Sequence, residues 1–230
     1  MKTERKRKAT TNVAADNGPI RASTRKTEQH TRPSSSSPTQ HPKDRYFFFY
    51  GKDSPFSNFF PASFTDDNDN NTFFCTEQYI MYHKAVLFGD KDMAEAILQE
   101  RTSPRRCKQL GRKVGNFSDA VWIAHARDIV QRGLWLKFTA NPQLGQVLLD
   151  TGNVVELVEA APRDRRWGIG YGAKKAMMVP KEKWGSNWLG EALMITRAKL
   201  GAVHKEDTEN GDEVVNDDGD DASSSEGDKE

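Results

Sequence analysis

Hydrophobic residues are concentrated in the middle of this chain and follow two periods there. The densest block runs Cys75-Thr76-Glu77-Gln78-Tyr79-Ile80-Met81-Tyr82-His83-Lys84-Ala85-Val86-Leu87-Phe88. It predicts a helix with Tyr79, Tyr82, His83 and Val86 on one side and Ile80, Met81, Leu87 and Phe88 on another. A helix apolar on most of its sides belongs at the centre of a domain. Thr76 is the expected N-cap, placing Glu77 in the first turn, where the helix dipole favours an anion. Further helices are expected over Lys91–Gln99, from Ser103-Pro104, from Ser118 through Val121, Trp122, Ile129, Leu134 and Phe138, and from Pro142 to the stop at Gly152. A terminal helix, capped by Asn187, carries Leu189, Leu193, Met194 and Leu200. β-rich segments fall at Tyr46–Tyr50, at Ala62–Phe64 and Thr72–Phe74 around the polar turn Asp66–Asn71, and at Val154–Val158. The pattern predicts a helix-dominated α+β fold with a small antiparallel sheet, not the alternating βαβ order of a doubly wound fold.

Composition divides the chain into three parts. Residues 1–43 are rich in Ser, Thr, Pro and basic residues, including Arg5-Lys6-Arg7-Lys8, and residues 205–230 are rich in Asp, Glu and Ser. Neither contains enough large apolar side chains to offset chain entropy, so both are expected to be disordered tails, one basic and one acidic. Residues 44–204 hold every Trp, Phe and Tyr and form the single predicted domain. The net charge of +1 hides this segregation. The longest aromatic run, Tyr46–Tyr50, is too short to span a bilayer, and no secretory apolar region follows Met1. With only Cys75 and Cys107 there is no disulfide framework, which fits an intracellular location, nuclear or cytoplasmic. Arg5–Lys8 reads equally as an import signal, a nucleic-acid patch or a solvated tail.

Candidate chemistry begins with Glu77 and Lys84. Seven residues apart, they return to one helix face about 10 Å apart along the axis. Charges on a buried helix are costly unless paired or used, so the two form either a structural pair or a site. Phe56-Ser57-Asn58-Phe59 sets two small polar residues between rings, as a ligand edge or as a loop anchor. Trp167-Gly168-Ile169-Gly170-Tyr171-Gly172 alternates glycines with bulky residues. Such a loop lets backbone N–H groups approach a phosphate, or makes a tight turn with packed rings. Glu159 and Asp164 precede it, and Arg112 and Arg127 are candidate pyrophosphate partners. Trp122, His83 and His125 read as structural. No spacing matches a zinc, calcium or iron site, a nucleophilic serine elbow or a Walker loop, so neither metal nor cofactor is expected.

Five ordered blocks from about Tyr46 to Leu200 together resemble the NADAR family, also called YbiA-like. They are Phe49-Tyr50 with Phe56–Phe59; Thr76-Glu77-Gln78-Tyr79 through Lys84; Leu110-Gly111-Arg112; Leu157-Val158-Glu159 with Asp164 and Trp167-Gly168; and Asn187 through Leu193-Met194. Ile169 departs from bacterial members that carry an acid there. The resemblance implies a YbiA-like fold and cleavage of an N-glycosidic bond. The implied reaction removes ADP-ribose from guanine in DNA or RNA. The resemblance implies Lys84 as the nucleophile that forms a Schiff base and Glu77 as the general acid/base. The alternatives are an N-glycosidase splitting a ribosylaminopyrimidine of riboflavin synthesis, or a non-catalytic ADP-ribose-binding module. Tyr50, Phe56, Ser57, Asn58, Tyr79, Arg112, Glu159, Asp164, Trp167, Gly168, Gly170 and Asn187 are the implied substrate contacts. The expected partner is ADP-ribosylated nucleic acid or a nucleotide-like small molecule, with no membrane, and the expected state is a monomer.

Overall fold

The computed structural model describes residues 45–211. The readings made for residues 1–43 and for the acidic stretch past Gly211 lie outside the described residues. The elements in order are β1 (Tyr46–Phe49), β2 (Phe64–Thr65), β3 (Thr72–Phe73), α1 (Thr76–Leu87), α2 (Lys91–Gln99), α3 (Pro104–Gly111), α4 (Asp119–Ala140), α5 (Pro142–Leu149), β4 (Glu156–Glu159), α6 (Ala173–Ala176) and α7 (Trp188–Gly211). A single turn of 3-10 helix, Lys181–Lys183, precedes α7. The fold is helix-dominated α+β, as the periodicity predicts. The terminal helix continues to Gly211, beyond the domain boundary expected at residue 204.

Helix α1 sits at the centre, packed against α2, α3 and α4. Its residues Tyr79 and Ile80 join Phe56, Phe73, Leu134 and Leu193 in the main core. Helix α4 also packs on α5 and α7, and α7 covers β4. The Ser103 and Ser118 hydroxyls accept from the Arg106 and Val121 amides, so both predicted caps are in place.

The cap of α1 differs from expectation. Cys75 is the N-cap, in extended conformation and without a side-chain cap bond, while Thr76 is already helical and its buried hydroxyl has no partner. The free helix N–H groups find tertiary acceptors instead. Glu77 N–H donates to the Asn58 carbonyl at 2.8 Å, and the Gln78 side chain accepts from Phe74 N–H at 2.9 Å. The Gln78 amide also donates to the Glu100 carbonyl at 2.7 Å, closing the end of α2.

The strands also correct the sequence reading. They form two separate pairs: β1 with β4 is parallel, Phe49 opposite Glu159, and β2 with β3 is the antiparallel hairpin, Phe64 opposite Phe73. Parallel pairing needs a long crossover, and five helices lie between β1 and β4. Asn187 is not a side-chain cap. It lies just before α7 with φ 51°, its Oδ1 accepting from Glu159 N–H at 3.0 Å and its Nδ2 donating to the Leu157 carbonyl at 2.8 Å. A Cβ at Gly190 would meet the Leu157 carbonyl at 2.0 Å, so only glycine lets α7 lie this close to β4.

Candidate active site

Two of these arrangements converge on one cavity of about 200 Å³. The loop that caps α1 supplies Ser57, Asn58 and Phe59, and α1 itself supplies Glu77, Ile80, Met81 and Lys84. Lys108 comes from α3, Trp122 from α4, Glu159 from the end of β4, and Asp164 and Trp167 from the turn after it. Seven of the residues singled out in the sequence therefore meet: Ser57, Asn58, Glu77, Lys84, Glu159, Asp164 and Trp167.

Three buried acceptors in this cavity make no hydrogen bond: Asn58 Oδ1, Glu77 Oε1 and Glu159 Oε2. Such atoms are costly in a folded interior and mark a place built for a ligand or a proton. Burial raises the Glu77 pKa, opposed by the charges of Lys108 and Arg112 and reinforced by Asp164. Lys108 Nζ stands 3.8 Å from Glu77 Oε1, its side chain 43% exposed and its charge over the Phe59 ring. Burial, with the nearby Asp164 and Glu77 charges, pushes Glu159 up to about 7, and Lys108 opposes this. Asp164 Oδ1 is occupied by the Arg166 and Trp167 amides at 3.0 and 2.9 Å, which shapes the turn.

Lys84 closes the other end. Its amine donates to the Gly111 carbonyl at 2.7 Å and lies 4.1 Å from the Phe117 ring centre. Burial, then the Arg112 guanidinium, lowers its pKa, and Asp119 opposes the shift. A lowered pKa increases the fraction of neutral, nucleophilic amine at neutral pH.

The remaining candidates do other work. Tyr79 is 1% exposed, and its hydroxyl donates to buried Asp66 at 3.1 Å, an acid also held by Arg132 at 2.5 Å. The Tyr79 ring therefore packs in the core and does not wall a sugar. Phe56 is core as well, whereas Tyr50 is 62% exposed. Arg112 is exposed and acts on the cavity through its charge, while Arg127 pairs with Glu191. The glycine loop is stitched to its neighbours: Ile169 N–H donates to the Glu159 carbonyl at 3.0 Å, and Asn187 N–H to the Gly168 carbonyl at 3.3 Å. A Cβ at Gly168 would meet the Glu159 carbonyl at 2.7 Å, so Gly168 permits close packing behind Glu159. Gly170, with φ 78°, turns beneath the Arg165 side chain. Ile169 is fully buried against Val158 and Ala176.

Sequence reasoning missed Lys108, Met81 and Ile80 as cavity residues and read Trp122 as core. Trp122 is both, 7% exposed in the main cluster and a wall of the cavity. It also missed Lys137. This lysine of α4 is fully buried, donating to the Pro55 and Ser57 carbonyls at 2.6 and 3.1 Å. Burial lowers its pKa to about 7. A neutral amine has two N–H bonds, enough for the two carbonyls. Lys137 thus fixes the loop whose next residue, Asn58, caps Glu77.

Lys137→Met should leave both carbonyls without a donor and loosen this loop, costing about 1–3 kcal/mol near neutral pH. The unfolded lysine binds a proton that the folded one releases between about pH 7 and about pH 10, so this residue makes wild-type stability rise with pH over that window. The gap in melting temperature between wild type and Lys137→Met should therefore widen from about pH 7 to about pH 9. A constant gap in thermal scans would exclude the neutral buried amine.

The fold and the polar cavity define a YbiA-like α+β domain with an acid- and lysine-lined site. The chain belongs to the NADAR domain family, matching it over residues 47–201. It is 42% identical over 164 residues to N-glycosidase R617 of Acanthamoeba polyphaga mimivirus, covering 67% of this chain and 95% of the viral protein. It is 37% identical over 170 residues to protein irg-1 of Caenorhabditis elegans, covering 67% and 79% respectively. A third relative is the chloroplastic riboflavin biosynthesis protein PYRR of Zea mays, 34% identical over 155 residues. That match covers 63% of this chain but only 23% of the maize protein. Among solved structures, the NMR structure of Escherichia coli YbiA matches with a TM-score of 0.57 at 27% identity, covering 71% of this chain and 88% of that one. Among the described residues no helix is long and apolar enough to cross a membrane, and no group of three or more His, Cys, Asp and Glu is placed to hold a metal ion.

Proposed function

We propose that this protein is an N-glycosyl hydrolase that removes ADP-ribose from guanine bases in nucleic acid. Family membership and the relative named as an N-glycosidase support the glycosidase class. The observation that carries the reading is the convergence, in one cavity, of two buried carboxylate oxygens without hydrogen bonds and a half-buried lysine amine. Hydrolysis of an N-glycoside needs a proton for the leaving nitrogen and a nucleophile at the anomeric carbon.

In this reading the neutral Lys84 amine attacks the anomeric carbon as the bond to the guanine nitrogen breaks. Glu77, whose pKa burial raises, donates its proton to the departing base. The ribose ring then opens: the new secondary ammonium gives up one proton, its nitrogen lone pair forms the C=N bond of a Schiff base, and the ring oxygen leaves carbon and takes that proton. Glu77, now a carboxylate, draws a proton from water as the water adds to the imine carbon. Collapse of that adduct releases ADP-ribose and restores the amine. Lys108, beside Glu77 and open to solvent, is suited to a phosphate of the diphosphate, and Trp122 and Trp167 to the sugar and base faces.

The test is to incubate the purified protein with an ADP-ribosylated guanine oligonucleotide and, separately, with the ribosylaminopyrimidine of riboflavin synthesis, reading products by mass spectrometry. Release of ADP-ribose from the oligonucleotide is the expected result. Cleavage of the pyrimidine substrate alone would favour the second reading, which the similarity to the maize protein recommends. Binding of ADP-ribose without cleavage of either would make the domain a reader.

The pH profile gives a further check. A carboxyl held at about 7 is neutral below that pH and charged above it, so any step in which Glu159 stays protonated should fade as pH rises through about 7. Stability moves the same way. A raised acid pKa contributes fully below the unfolded value near 4.3, and the contribution is lost as pH rises through the folded one. Glu159→Gln should abolish that limb of the profile and melt at least about 2 °C above wild type near pH 8. An unchanged limb would assign it to another group.

A further inference from the structure

The connector between β4 and α7 carries a charge pattern that bond cleavage does not use. Residues 160–187 hold seven Lys and Arg against two acids, Asp164 and Glu182. The fold gathers these cations around rings. The guanidinium groups of Arg127 and Arg166 lie 5.0 and 6.0 Å from the centre of the Trp188 ring. Arg165 and Lys175 stand 5.7 and 5.6 Å from the Tyr171 ring. An open cleft of about 640 Å³ has Arg163, Arg165, Arg166 and Trp188 in its walls. Asp164 lines both this cleft and the cavity that holds Glu77 and Lys84, so the two are neighbours through one side chain.

Some of these charges are already committed. Arg166 pairs with Asp119 at 3.2 Å, Arg127 pairs with Glu191, and Arg165 donates to the carbonyls of Lys183 and Trp184. These bonds hold the guanidinium groups against their rings. Arg163, Lys174 and Lys175 are exposed and form no salt bridge among the described residues, so their charge is available to a ligand.

We propose that this cleft, extended past Arg165 to the Tyr171 ring that Arg165 and Lys175 share, is a docking track for single-stranded nucleic acid. Phosphates of the nucleotides flanking the modified guanine meet Arg163 in the cleft and Lys174 and Lys175 beyond it, and unstacked bases lie against the partly exposed Trp188 and Tyr171 side chains with their guanidinium partners. Cations interleaved with partly exposed rings suit a single strand, whose base faces are accessible, better than a duplex, whose bases are stacked. A single strand also lets one modified base leave its neighbours and enter a cavity of about 200 Å³ while the flanking backbone stays outside. The track deepens the nucleic-acid reading of the active site and rests on it for its biological meaning. Its binding is measurable without any cleavage.

The test compares the full chain with its Arg163→Gln/Lys174→Gln/Lys175→Gln variant. Fluorescence anisotropy with an unmodified single-stranded oligonucleotide of about a dozen nucleotides is recorded over a range of salt. Each phosphate contact contributes about −0.7 to the slope of log affinity against log salt, so losing three should flatten it by about 2. At low salt the dissociation constant should rise about tenfold or more. Turnover of an ADP-ribosylated guanine mononucleotide should be unchanged, while kcat/KM on a modified oligonucleotide falls about tenfold. An unchanged salt slope would overturn the proposal. So would equal losses on both substrates, or equal affinity for duplex. Exposed Met177 and Met178 adjoin Lys175, so phosphatidylserine vesicles are the remaining comparison. Tighter loss of vesicle binding than of oligonucleotide binding would make this a lipid face instead. If wild type cleaves neither modified substrate, the glycosidase reading fails, and the anisotropy still decides the track.

Discussion

Glu77→Gln should reduce turnover by about 10²–10⁴-fold while leaving a folded protein that is at least as stable as wild type. The substitution keeps the shape of a side chain that is 4% exposed and whose N–H is held by the Asn58 carbonyl. What it removes is a transferable proton. Because burial raises the Glu77 pKa, the charged carboxylate is a burden on the fold above its unfolded pKa of about 4.3. Stability contributed by the protonated form is present below that value and is lost as pH rises through the folded pKa. Gln carries no such penalty, so the variant should melt higher near neutral pH, not lower. Lys108 loses its partner at small cost, since its side chain is 43% exposed. Activity falling as stability holds or rises is the mark of a group kept for chemistry. Both can be read from one preparation, by single-turnover cleavage and by thermal unfolding. Cleavage at a rate near wild type would make Glu77 a structural anion of the first helical turn and would remove the proposed acid.

How much of this site could be read in the sequence depended on the range of the interactions involved. Ser103-Pro104 and Ser118 cap helices through bonds spanning three residues, and such local chemistry is visible in a string of letters. The apolar surround of α1 likewise predicted a central helix, and the central helix placed Glu77 and Lys84 together in the cavity. The cap of α1 was misread because Thr76 is the better capping residue in isolation, yet the Asn58 carbonyl arrives from a distant loop and takes the Glu77 N–H. Lys108 was invisible for a related reason. On its own helix it is one more basic residue, and only the packing of α3 against α1 brings it to Glu77. Tyr79 shows the converse error. Its place in a motif suggested a contact with substrate, while a buried carboxylate thirteen residues upstream had already claimed its hydroxyl. Asn187 stands between the two cases. It belongs beside the site, but through the backbone on either side of Leu157–Glu159, which a one-dimensional reading could not connect to it.

Lys84→Arg separates the two ways this cavity could break the bond. If the amine is the nucleophile, the variant should lose turnover by several orders of magnitude. A guanidinium stays protonated and cannot form an imine. Wild-type protein treated with borohydride during turnover should gain a stable secondary amine carrying one sugar adduct, and peptide mapping should place it on Lys84. The variant should gain none. The site favours this outcome through two features. Burial and the Arg112 charge depress the Lys84 pKa, and among the described residues its amine's only hydrogen bond is to the Gly111 carbonyl, an acceptor that leaves the nitrogen uncommitted to a carboxylate. A lysine kept for holding phosphate would be better served by an amine open to solvent, as Lys108 is beside Glu77, its side chain 43% exposed. If Lys84→Arg instead retains much of the activity and no adduct forms, Lys84 is a sugar or phosphate contact. The reaction then passes to Glu77 as base for direct attack by water, with Glu159 supplying the proton to the leaving base. The carboxylate pair that lines the cavity can do both tasks, so that result would change the nucleophile and leave the N-glycosidase reading in place.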